Sequence, residues 1–190
     1  RADIPVWWAS LKGMSVEATA ELANGWLPIM FVPEKFDRVW GKQLKAGLAK
    51  RSPELGALEI SAGGILAIGD DNVGDKKSKI LDMVRPNSAL YIGGMGARGK
   101  NFYNDICRAY GYEDEAKIIQ DLYLDGKKEE AAANVPTEML ELTNLVGPKS
   151  LIAERVAAFK EAGVTVLSVN PVGADAVRQI ETLRDIVDSI

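Results

Sequence analysis

The 190-residue chain has no histidine and a single cysteine, Cys107. Without imidazole, Ser-His-Asp triads, histidine acid–base chemistry and His-based metal sites are excluded. One thiol cannot make an internal disulfide or a cysteine-based zinc site, and it suits the reducing cytoplasm. No apolar run approaches the ~18 residues of a membrane span, and no signal-peptide pattern is present. Positive charge is also short. With 23 Lys and Arg against 27 Asp and Glu the net charge is −4, which argues against a nucleic-acid-binding surface. The chain starts at Arg1 rather than Met and enters a strand-like run by its fifth residue. A longer parent is therefore expected.

What is there alternates. Ile4 to Ala9 reads as a short buried strand, with Pro5 near its start where a lost donor matters least. Ser15 is placed to cap a helix over Val16 to Asn24 that Gly25 ends. Trp26 to Val32 is the next apolar run, after which Pro33 opens a helix with Phe36, Val39, Trp40, Leu44 and Leu48 on one face. Leu58 to Ile68 is a third strand candidate, with a bulge or close packing expected at Gly63-Gly64. A mostly helical stretch follows over 73–142. Gly147-Pro148 then starts another helix, Val164 to Val169 reads as the fourth strand, Asn170-Pro171 breaks it, and a helix from Ala174 to Ser189 ends the chain. Strands alternating with amphipathic helices imply a parallel sheet. A complete eight-fold βα barrel takes ~250 residues, so four strands and a long insertion give either a small open sheet or half of a barrel.

Two loops carry candidate chemistry. Gly94, Gly96 and Gly99 spell the dinucleotide fingerprint, and Gly94 to Lys100 spells most of a phosphate-binding P-loop. Context argues against both. Asn101 stands where the P-loop needs Ser or Thr, and although Ala89 to Ile92 allows one strand, no second strand arrives. The alternatives are a connector between helices, or a loop close to a ligand with Arg98 beside it. The quieter loop is Ala9 to Ser15. A helix N-terminus offers unpaired N–H groups and a positive dipole end. Lys12 adds charge, and Gly13 permits close approach. Pro28 to Val32 lies at the same C-terminal end of a parallel sheet, where α/β ligand sites occur. Trp7, Trp8, Trp26 and Trp40 suit core packing better than ring stacking. Asp70-Asp71 fit a helix cap, and Lys127-Lys128-Glu129-Glu130 a solvated helix face.

Pro5 to Met14, followed by Ala20-Glu21-Leu22-Ala23-Asn24-Gly25-Trp26-Leu27-Pro28, resembles the luciferase-like monooxygenase superfamily. Tyr91 to Arg98, Asn101-Phe102-Tyr103 and Tyr110-Gly111-Tyr112 are similar to its deazaflavin (coenzyme F-420) branch. Val135-Pro136, Leu145 to Pro148 and Ala162-Gly163-Val164 fit the C-terminal stretch of that branch. The resemblance implies an α/β fold: the C-terminal half, about four βα units, of a (β/α)8 TIM-type barrel. Residues 1–190 would be one partial domain, with the 73–142 helical insertion before the last strand. It implies an oxidoreductase moving a hydride between coenzyme F-420 and a small-molecule organic substrate, with FMN as the alternative cofactor. By position, coenzyme phosphate contacts carry over to Leu11, Lys12, Gly13 and Met14, and to Pro28, Ile29 and Met30, with Arg98 a weaker candidate. No catalytic residue is assigned and no metal is expected. The partners implied are a missing N-terminal half-barrel or a second copy of the chain in a homo-oligomer. A non-catalytic half-barrel, and a nucleotide-binding enzyme built on Gly94 to Lys100, are the competing readings.

Overall fold

The computed structural model describes residues 4–190, so Arg1, where the sequence begins, lies outside the described residues. Strand β1 (Trp7–Trp8) leads through α1 (Met14–Leu22) to β2 (Gly25–Trp26). A π-helical turn at Asp37–Gly41 runs into α2 (Lys42–Leu48), and β3 (Glu59–Ala62) and β4 (Ile65–Ile68) follow. The insertion is built from α3 (Gly74–Asp82), α4 (Arg85–Ala89), a π-helical turn at Leu90–Gly94, α5 (Phe102–Ala109), α6 (Glu113–Leu124), α7 (Lys128–Ala133) and α8 (Thr137–Thr143). The chain closes with β5 (Leu145–Gly147), α9 (Lys149–Glu161), β6 (Val166–Leu167), β7 (Asn170–Pro171) and α10 (Ala176–Asp188).

Every strand pairing among the described residues is parallel. One sheet runs β1-β2-β3-β6 and the other β5-β4-β7. The two are joined, because β3 and β4 are halves of one bent strand and β6 and β7 halves of its neighbour. The register continues across the bend, from Ala62↔Leu167 to Ile65↔Asn170. Apart from β5, which pairs with β4 on the side of the bent strand opposite β7, neighbours follow chain order through helical crossovers and form an arc of successive βα units. A doubly wound sheet would reverse direction at a switch point.

At Gly63-Gly64 the strands pack closely with no bulge, since the register holds across the pair. Gly63 has φ 145°, and a Cβ there would run into the Ser168 carbonyl. At Gly64 a Cβ would meet the Asn144 amide oxygen, which is the acceptor for the Ile65 N–H at 2.9 Å.

Four local expectations are corrected. Helix α1 starts at Met14 with Gly13 at the cap position, while the Ser15 hydroxyl donates to the Lys12 carbonyl at 2.7 Å. Pro33 does not open a helix; it lies in a turn closed by Lys35 N–H to Val32 O, and helical structure begins at Asp37. Asn170-Pro171 extends the last strand instead of breaking it. Ser168, Asn170 and Val172 donate to Ala62, Gly64 and Leu66, so the proline nitrogen falls on the side of the strand that has no acceptor. Asp71 caps nothing: Val73 precedes α3, and Asp71 pairs with Lys76 at 2.6 Å. Strand β5 has no counterpart in the sequence reading, because its three residues merge with the helix start at Gly147-Pro148.

The core behind the sheet is strongly aromatic. Trp26, Phe31, Trp40, Tyr110 and Phe159 are all buried. Trp26 meets Trp40 edge-on at 5.2 Å, Phe31 stacks on Trp40 at 6.1 Å and on Phe159 at 6.3 Å, and Tyr110 meets Trp40 edge-on at 6.3 Å. Each such pair adds about 0.5–1.5 kcal/mol beyond area burial. Tyr110 enters this cluster from the end of α5, so the insertion shares a core with the sheet.

Burial pushes the Cys107 thiol up to about 12 and raises the Tyr110 phenol above its usual value. In both, folding favours the protonated form. The unfolded chain therefore releases these protons first as pH rises, and stability falls. The urea midpoint is expected to hold between pH 6 and about 8 and to drop from about pH 9 upward. In Cys107→Ala the first part of that drop should be shallower. At pH 8 the folded protein should resist a thiol reagent that labels it readily in urea. Gly63→Ala is expected to lower stability by about 1–3 kcal/mol, read from the same urea curves, since neither its backbone conformation nor the Ser168 carbonyl tolerates a Cβ.

Candidate functional site

The C-terminal ends of β1 and β2 carry the two loops expected to bind. Residues 9–13 follow β1 and enter α1. The loop is pinned from beneath: the Trp26 indole donates to the Ser10 carbonyl at 2.9 Å, and the Trp40 indole to the Leu11 carbonyl at 2.8 Å. Ser10 is itself buried, its hydroxyl paired with Thr19 at 2.7 Å. With those carbonyls turned inward, the α1 N-terminus faces solvent. Among the described residues, the backbone N–H groups of Lys12, Gly13 and Met14 donate to no protein acceptor. Gly13 has φ 53°, and a Cβ there would meet nothing within 4 Å, so the space before these donors is open.

Leu11, Lys12 and Gly13 line a cavity of about 310 Å³ together with Arg38, Gln43, Phe102 and Asp105. Lys12 pairs with Asp105 at 2.8 Å and lies 4.8 Å from the Phe102 ring. Both partners of the ion pair are about half exposed. Such a pair contributes only ~0–1 kcal/mol, so Lys12 can turn to a better anion at little cost. Met14 is exposed and does not line that cavity.

Pro28, Ile29 and Met30 are half-buried on the loop after β2 and lie outside that cavity. Met30 has φ 54°, and among the described residues it is the non-glycine residue with positive φ. Its carbonyl accepts from the Tyr110 hydroxyl at 2.9 Å, and the same hydroxyl accepts the Val32 N–H at 3.3 Å. Further along the loop, Lys35 donates to the Tyr112 hydroxyl at 3.0 Å, and Tyr112 donates to Glu138 at 2.6 Å. Burial, with that carboxylate, raises the Tyr112 phenol. Glu34 pairs with the Arg155 guanidinium of α9.

Arg98 stands apart from both loops. It pairs with Asp121 of α6 at 2.7 Å, and Lys117 and Arg98 together hold that carboxyl below its ordinary range. The glycine motif beside it is structural. Ala89 ends α4 and Leu90–Gly94 is a π-helical turn, so no strand precedes the glycines. Gly93 and Gly94 let that turn pack on Tyr123, and Gly93 also on Ile119. Asn101 caps α5 by accepting from the Tyr103 and Asn104 N–H groups, and its amide donates to the Tyr91 and Ile92 carbonyls. The dinucleotide and P-loop readings are overturned by this geometry.

The residues that sequence reasoning missed are those holding the loops. Trp26 and Trp40 are expected in the core, which they occupy, but their indole nitrogens also fix the loop at residues 9–13. Tyr110 stood only in a Tyr-Gly-Tyr motif, and nothing local indicates that it reaches residues 30–32.

The sequence model of the luciferase-like monooxygenase family matches residues 1–166. A protein of Mycobacterium tuberculosis with the provisional name coenzyme F-420-dependent oxidoreductase is 33% identical over 187 residues, 96% of this chain and 52% of its own. The coenzyme F-420-dependent tetrahydromethanopterin reductase of Methanopyrus kandleri superposes with TM-score 0.68 at 20% identity, over 96% of this chain and 49% of its own. An F-420-dependent secondary alcohol dehydrogenase, in complex with an F-420–acetone adduct, superposes with TM-score 0.62 at 10% identity, over 98% and 49%. The chain spans about half the length of these relatives. At such low identity the two superpositions speak for the fold alone, and that fold agrees with the barrel-type strand order. The all-parallel strand pairing, the loop pattern after β1 and β2, and a family match over most of the sequence together place this chain in the luciferase-like monooxygenase family.

Proposed function

We propose that this chain forms the phosphate-binding side of an oxidoreductase that transfers a hydride between coenzyme F-420 and a small organic substrate. The observation that carries this reading is the open set of N–H donors at Lys12, Gly13 and Met14, on a loop anchored by two buried indoles. Unpaired donors at the start of a helix, beside a lysine, favour a phosphate group through hydrogen bonds and the helix dipole. The named activities of the relatives supply the coenzyme class. When bound, the deazaflavin supplies the hydride chemistry. The chain's own residues bind and orient. The 9–13 loop holds the phosphate, Lys12 exchanges Asp105 for it, and the Pro28 to Met30 loop limits where the rest of the coenzyme lies. FMN also carries a phosphate, so this loop alone does not separate the two.

Titration of coenzyme F-420 and of FMN, followed by quenching of tryptophan fluorescence, tests the reading. Saturable binding of F-420, tighter than FMN, is expected, with Lys12→Ala weakening it by about tenfold, or ~1.4 kcal/mol. Binding of neither would leave a structural half-barrel.

A second observation concerns partners. Among the described residues β1 and β6 are each paired on one side only, and Ile4, Val6, Trp8 and Val166 near these edges are exposed. Bare edges with apolar side chains favour pairing with further parallel strands, either a complementary half-barrel or a second copy. Sedimentation of the isolated chain should show self-association at micromolar concentration, and a stable monomer would count against this pairing.

A further inference from the structure

We propose that Tyr110, brought in by the helical insertion, is the positioning residue of the candidate coenzyme site: its hydroxyl clamps the Met30 loop in the conformation the site uses. The inference rests on the coenzyme reading above and names what holds that site in shape. A side chain on a left-handed backbone residue is disfavoured, and such a residue persists only where its surroundings over-determine it. Met30, at φ 54°, has two restraints. The next residue, Phe31, is buried in the aromatic cluster against Trp40. The Tyr110 oxygen then bridges the peptide groups on either side of Phe31, donating to Met30 O and accepting from Val32 N–H.

The other ties to this loop act further on, at Glu34 through Arg155 and at Lys35 through Tyr112 and Glu138. They fix its exit, whereas Tyr110 is the side chain that hydrogen-bonds at Met30. Tyr110 is 1% exposed, so water does not replace a lost hydroxyl easily. Its ring packs edge-on against Trp40, and that packing survives replacement by phenylalanine.

The test compares Tyr110→Phe with Ile186→Val, a core change in α10 remote in sequence from both loops, used where the two lower the melting temperature equally. In Tyr110→Phe, amide hydrogen exchange at Val32 should speed up at least tenfold, and the F-420 dissociation constant should rise about tenfold. In Ile186→Val both should stay near wild type. Glycine accepts a positive φ without strain, so in a Met30→Gly background Tyr110→Phe should change exchange and affinity less than in wild type. Wild-type exchange at Val32 in Tyr110→Phe, or equal effects of the two matched variants, would overturn the clamp. Absence of F-420 binding by the unmodified chain would overturn the coenzyme reading and the role of Tyr110 in it, while exchange at Val32 still decides whether the clamp exists.

Discussion

Three buried aromatic side chains carry polar atoms that must find partners in a dry core, and the partners are the carbonyls of the two binding loops. Trp26 takes Ser10, Trp40 takes Leu11 and Tyr110 takes Met30. Leaving a buried donor unpaired costs ~1–3 kcal/mol, so the packing of the cluster and the shape of the loops cannot be optimised separately. A carbonyl drawn inward turns the N–H of the same peptide group, on the next residue, the other way. In that way the cluster turns the Lys12 N–H outward, and the first turn of α1 adds the unpaired N–H groups of Gly13 and Met14.

The insertion acquires a structural reason from the same cluster. It leaves the sheet after β4 and returns at β5, which pairs in register with β4 from Leu66↔Leu145 to Ile68↔Gly147. Between those points it contributes Tyr110 to the aromatic core, Asp105 to Lys12, and Tyr112 and Glu138 to Lys35. An arc of four parallel strands has few side chains above its C-terminal edge. Helices folded back over that edge supply them, and they make the loop after β2 depend on residues nearly 80 positions downstream.

The alternation of strands and helices was legible because burial imposes period: branched and aromatic runs for strands, three-and-four spacing for helices. The loop after β1 was legible as a βα turn, and its importance came from resemblance. What stayed hidden was long-range. Strand β5 is too short to show a period, and Asn170-Pro171 reads as a stop until the neighbouring strand shows which of its N–H groups are needed. The clamp at Met30 pairs residues whose local sequence contains neither the positive φ nor the partner. Arg155 was unremarkable on the polar side of a helix, yet it ties α9 to Glu34 and to the Leu142 carbonyl.

Glycine density can imitate a phosphate loop for a physical reason. A phosphate loop needs glycine so that backbone N–H groups can approach an anion, and tightly packed helices need it so that backbones can approach each other. The two demands leave the same spacing. They differ in what surrounds the glycines. Gly93 and Gly94 face Tyr123 and Gly96 the Lys100 carbonyl; Gly99 faces open space, but nearby Arg98 is committed to Asp121. Gly13 faces open space, with unpaired N–H groups on either side of it and a lysine held only by an exposed carboxylate. An anion gains from the second arrangement and finds little in the first. The isolated glycine is therefore the one suited to an anion, and Gly93 and Gly94 serve helix packing.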